Sequence, residues 1–93
     1  MRIFQSRSFE QKIKKMPKKE KGVLDQHIKM IPANPLAGEQ KKGDLKGVYV
    51  YKVKLQVTQY LLAYRWVGED LELIMIGAHE NYYRDLKQYL KNR

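Results

Sequence analysis

Cysteine is absent from these 93 residues, proline occurs three times, glycine six times, histidine twice and tryptophan once. Without cysteine there is no disulfide framework, no thiol nucleophile and no thiolate metal site, a composition compatible with a reducing compartment. No apolar run approaches the roughly 18 residues of a membrane span. The opening "MRIFQSRSFEQK" lacks the apolar core of a secretory signal. A cytoplasmic protein with no membrane partner is the expectation. GxGxxG, P-loop, HExxH and GxSxG motifs are missing, as is any cluster of metal ligands, so neither a cofactor nor a metal is expected. A chain of this length buries roughly 60–70% of its unfolded surface, enough for one domain, 1–93, around a two-layer core. Acid is also scarce. Nineteen Lys and Arg oppose ten Asp and Glu, a net charge of +9. Residues 1–54 carry fourteen basic and five acidic side chains, while residues 55–93 carry five of each. Such a potential attracts nucleic acid, the ribosome or an acidic protein, unless the lysines are simply a solvated helix surface.

What is present changes period midway. "RIFQS" reads as a first strand. Ser8 with Gln11 three residues on has a capping-box pattern, and Phe9, Ile13 and Met16 form a helical stripe. Pro17 interrupts that helix. A second one is predicted over residues 18–31 with Val23, Leu24, Ile28 and Ile31 inward, ended by Pro32 and Pro35. The two make an antiparallel helical hairpin. Residues 33–47 read as an ordered loop that Leu36 and Leu45 pin down. "VYVYKVKL" alternates, and "QYLLAYRWV" and "LELIMIGA" are two further strand-like runs joined by "GED". Short turns favour an antiparallel meander. "NYYRDLKQYLKNR" is helical, with Tyr82, Leu86, Tyr89 and Leu90 on one face and Asn81 as its N-cap. The fold class is therefore α+β, in the order β-α-α-β-β-β-α: an N-terminal strand and helical hairpin packed on an antiparallel sheet, then a C-terminal helix.

Few side chains suggest chemistry. His27 lies beside the inward stripe of the second helix and reads as a packed histidine. His79 follows a glycine at the end of a buried-looking strand, where it is either a site residue or a rim residue. Histidine can pass a proton either way near neutral pH. Lys52 and Lys54 alternate in an apolar strand, so both leave one face of the sheet, a phosphate-binding pattern if that face is concave. Arg65 interrupts the next strand on the face of Leu61, Ala63 and Val67. On a helical wheel Tyr82 lies near the centre of the apolar face and Tyr83 near its edge, so one can be core while the other stacks on a base.

The central "VYKVKLQVTQYLLAYRWVGEDLELIMIGAHENYYRDL" and the lysine-rich hairpin resemble the RelE/ParE superfamily of bacterial type II toxins, nearest its ParE-like branch. The resemblance implies a toxin neutralised by a cognate antitoxin. RelE-like members cut mRNA on the ribosome without a metal, using the RNA's own 2′-hydroxyl as nucleophile, while basic groups stabilise the phosphorane. It implies catalytic roles for His79, Lys52 and Lys54 and a stacking role for either Tyr82 or Tyr83; the expected site is completed by Tyr83 among the catalytic residues and by Arg65, Arg84, Tyr82 and Lys46 as nucleic-acid contacts. Lys52 and Lys54 match the family's paired strand lysines. His79 falls where some members keep a catalytic histidine. Leu61 departs from the pattern, standing where RelE-like members carry a second catalytic arginine. The superfamily also contains DNA gyrase inhibitors that cleave no RNA, and a toxin-like protein that only binds its antitoxin is a third reading.

Overall fold

A computed structural model of the chain describes residues 1–92. β1 (Ile3–Gln5) leads directly into α1 (Arg7–Lys14) through Ser6. The Ser6 hydroxyl accepts from the Phe9 N–H at 3.1 Å and donates to the Ile74 carbonyl, while its own N–H donates to Leu73 at 2.9 Å. The cap thus falls at Ser6 and not at the expected Ser8, because Ser6 is the residue that also bonds the central sheet. Phe9, Ile13 and Met16 turn inward as their spacing predicts. α2 (Lys18–Met30) buries Leu24 and Ile28, with Ile31 just beyond it, and leaves Val23 38% exposed, off the stripe. His27 Nδ1 lies 2.8 Å from the Tyr51 hydroxyl and ties α2 to the sheet. No helix is long and apolar enough to cross a membrane among the described residues.

The sheet has five strands in the order β1-β5-β4-β3-β2, with β2 (Glu39–Gln40), β3 (Tyr49–Leu55), β4 (Thr58–Val67) and β5 (Asp70–Gly77). β3 to β5 form the expected antiparallel meander, β2 adds antiparallel to β3, and β1 adds in parallel to β5. β2 is an extra strand inside the supposed loop. That loop is pinned by Leu45, which is buried, but not by Leu36, which is 71% exposed. Its second anchor is the Tyr64 hydroxyl, which accepts from the Gly38 N–H and donates to the Pro35 carbonyl, both at 3.0 Å. A Cβ at Gly38 would sit 3.0 Å from the Tyr64 ring, so only glycine lets the loop come this close.

The sheet buries both faces. Val53, Leu55, Leu62, Tyr64, Leu71 and Leu73 meet α1 and α2 on the first. Val48, Val50, Ala63 and Ile74 meet Tyr82 and Leu86 of α3 (Tyr82–Lys91) on the second. Ile74 is an extra residue between the paired positions Leu73 and Met75, a β-bulge. Asn81 precedes α3 without a capping bond from its side chain. The first turn closes through backbone alone, Tyr82 N–H to His79 at 3.2 Å and Asp85 N–H to Asn81 at 3.0 Å.

Candidate nucleic-acid site

β3 and β5 run in the same direction on either side of β4. Lys52 pairs with Leu61 and Leu61 with Gly77, so one row crosses all three strands. Lys52 and Lys54 are exposed on the second face, at the carboxyl end of β3. His79 lies two residues past Gly77, beyond the end of β5. The lysine pair and the histidine thus stand at the carboxyl ends of β3 and β5.

His79 is half exposed, and its Nε2 lies 3.5 Å from Oδ2 of Asp85. With Met75, Ile76 and the polar side of α1 it lines an open depression of about 330 Å³. Its ring lies 6.4 Å from that of Tyr82. Tyr82 is 1% exposed, and its hydroxyl donates to the Met75 carbonyl at 2.8 Å. Burial pushes this phenol well above its ordinary value. A Cβ at Gly77 would come within 3.1 Å of the Tyr82 ring, which accounts for the glycine before "AHEN". Tyr82 is therefore a core residue and cannot make the nucleic-acid contact expected of it.

Tyr83 takes the outward position of the pair. It meets Tyr82 edge-on at 5.5 Å and 87°, and the Lys41 ammonium sits 4.9 Å above its ring. Lys41 also donates to Glu39 Oε1 at 2.7 Å. That bond holds the Glu39 carboxyl below its usual range, with a further lowering from Lys52, and raises Lys41. Lys41 thus joins the same surface as Lys52 and Tyr83, a residue that sequence reasoning missed. Its signal was the Glu39/Lys41 alternation, concealed in a lysine-rich loop.

The remaining cations separate. Arg65 Nε donates to the buried Glu72 carboxylate at 2.7 Å. It stands four residues along β4 from Leu61, roughly 13 Å, so the structure does not bring it to Lys52 and places it on a scaffold carboxylate instead. Arg84 is 70% exposed, with Nε 3.6 Å from Asp85 Oδ1. It lines a second cavity, of about 560 Å³, with Asp44 and Lys87. Lys46 is exposed in the turn ahead of β3, at the opposite end of that strand from Lys54.

A mixed sheet with a lysine pair, a histidine beside a carboxylate and a half-exposed tyrosine makes a small basic α+β scaffold. Residues 3–87 match the ParE-like toxin family of type II bacterial toxin-antitoxin systems. The chain belongs to that family and is a type II toxin. It is similar in fold to a YoeB/ParE toxin from Agrobacterium tumefaciens, with a TM-score of 0.69 and 20% identity over 85% of this chain and 99% of that one. A chain of the intact E. coli RelBE toxin-antitoxin complex gives 0.67 and 18% over 84% and 95%. The isolated E. coli RelE toxin gives 0.64 and 18% over 94% and 96%. No curated protein matches the sequence.

Proposed function

We propose that this toxin is a ribosome-dependent mRNA endonuclease, held inactive by a cognate antitoxin. The observation that carries the reading is His79, with Asp85 Oδ2 3.5 Å from its Nε2, at the same sheet end as Lys52 and Lys54. The ribose 2′-hydroxyl oxygen forms a bond to the adjacent phosphorus and its proton passes to water. The bond from phosphorus to the 5′-oxygen breaks, and His79, protonated, gives that oxygen its proton. The products are a 2′,3′-cyclic phosphate and a 5′-hydroxyl. Asp85 orients the imidazole. Lys52 and Lys54 neutralise charge on the phosphorane oxygens, and Tyr83 offers a ring face to a base. The +9 charge supports both a ribosomal RNA target and an acidic antitoxin, and the RelBE neighbour is itself a toxin-antitoxin complex.

One observation favours a second reading, inhibition of DNA gyrase. Leu61 occupies the middle of the Lys52–Leu61–Gly77 row, where a phosphate-transfer site gains most from a cation. Primer extension on mRNA from translating ribosomes, alongside a gyrase supercoiling assay, separates the two. We expect cuts at the ribosomal A site, lost by roughly 10²–10⁴-fold in a folded His79→Ala variant. Intact mRNA with stalled supercoiling sinks the nuclease reading, and silence in both assays leaves an antitoxin-binding protein.

A further inference from the structure

The His79 depression shares two wall residues with a neighbouring hollow, and the two are taken together as one groove. Ser8, Gln11, Lys12 and Lys15 fall at i, i+3, i+4 and i+7 of the first helical segment, and together they form its wall. Lys12 and Lys15 also line a second hollow, of about 130 Å³, that runs on to Tyr60 of β4. Both lysines are exposed, and Tyr60 is half-buried. Among the described lining residues the carboxylates are Asp85, in the hollow of His79, and Glu20, in the hollow of Tyr60. From the catalytic candidate outward the groove thus presents hydrogen-bond donors, two ammonium groups one turn apart, then an aromatic ring.

We propose that this groove binds single-stranded RNA next to the cleaved bond, with backbone phosphates on Lys12 and Lys15 and a base on Tyr60. A cationic track ending in an aromatic face suits a strand whose phosphates need charge and whose bases need a flat apolar partner. An acidic peptide would use the lysines but not the ring. The proposal rests on the endonuclease reading for its direction, since it continues from His79, but its test does not depend on cleavage.

The test titrates the full-length toxin with a fluorescent, 2′-O-methylated ribo-oligonucleotide, which cannot be cut, at several salt concentrations. Lys12→Ala/Lys15→Ala should bind roughly tenfold more weakly near 0.1 M salt. Its log K against log salt slope should shrink by about 1.4, roughly 0.7 for each single-strand phosphate that is no longer neutralised. Lys29→Ala/Lys42→Ala makes the same change in net charge elsewhere and should keep the wild-type slope. Tyr60→Leu should weaken binding with the slope unchanged, and Tyr60→Phe should restore it. If the Lys12/Lys15 variant matches the Lys29/Lys42 control in affinity and slope, the track is wrong, whether or not mRNA is cut. If it binds RNA normally but loses the antitoxin, the groove is a peptide surface and the proposal falls. Intact mRNA on ribosomes with the titration differences preserved overturns the nuclease reading and leaves the track standing.

Discussion

Arg65 and Lys52 are both cations on strands of the second sheet face, yet their surroundings give them opposite tasks. Arg65 hydrogen-bonds a carboxylate whose side chain is 7% exposed, while Lys52 stands in solvent. Removing the Arg65 guanidinium takes a charge-assisted bond from a buried acid, which costs about 2 kcal/mol. Truncating Lys52 costs little stability, because surface substitutions stay within about 0.5 kcal/mol. Urea unfolding and a growth-inhibition assay, run on Arg65→Ala and Lys52→Ala, should therefore dissociate. Arg65→Ala loses stability and keeps its toxicity per folded molecule, and Lys52→Ala does the reverse. Equal stabilities for the two variants would remove the scaffold role of Arg65. Alternation placed Lys52 and Lys54 on one face, and the helical wheel set Tyr82 nearer the apolar stripe than Tyr83 without deciding which of them is core. What fixes Arg65, His79 and Tyr83 was not legible in this way. Their partners Glu72, Asp85 and Lys41 lie on β5, on α3 and just after β2, and only cross-strand register and helix docking bring them close.

The elements show the same division between local pattern and tertiary contact. Hydrophobic period located α1, α2, the three long strands and α3, since each buries enough apolar surface to declare its face. β2 did not declare itself, being two polar residues held by backbone pairing to β3. The start of α1 was ambiguous for a related reason. Ser6 and Ser8 both suit a cap chemically, and the Ile74 carbonyl, distant in sequence, decides between them. Losing the cap costs about 1 kcal/mol, and losing the buried bond to Ile74 costs about another 1 kcal/mol. Ser6→Ala should accordingly lower unfolding free energy by about 2 kcal/mol, while Ser8→Ala stays within about 0.5 kcal/mol. Because Ser6 joins β1, α1 and β5, amide exchange should rise in both β1 and the first turn of α1. Protection lost in α1 alone would mean that the bond to β5 contributes nothing.

For the whole molecule, burial and charge act against one another as pH rises. Tyr82 and Tyr64 both have phenols raised by burial, and Lys41 is raised by its bond to Glu39. In each case the folded chain holds its proton more tightly than the unfolded chain. The resulting stability is complete below the unfolded value, about 10 for tyrosine and 10.4 for lysine. It is lost as pH climbs through that value toward the folded one. Meanwhile the other lysines discharge, the +9 net charge shrinks, and self-repulsion relaxes, which stabilises the fold. The tyrosine contribution should win, because every tenfold gain in proton affinity on folding is worth about 1.4 kcal/mol while exposed lysines interact through water and salt. Melting temperature measured from pH 7.5 to 11 should therefore hold to about pH 9.5 and then fall. Tyr82→Phe keeps the ring but cannot ionise, and it gives up the bond to Met75, worth about 1 kcal/mol. It should melt lower than wild type at pH 7.5 and decline less steeply above pH 10, so the two curves converge. Parallel curves would show that the alkaline loss arises elsewhere and that the Tyr82 hydroxyl reaches solvent, which would reopen its place as a contact residue beside His79.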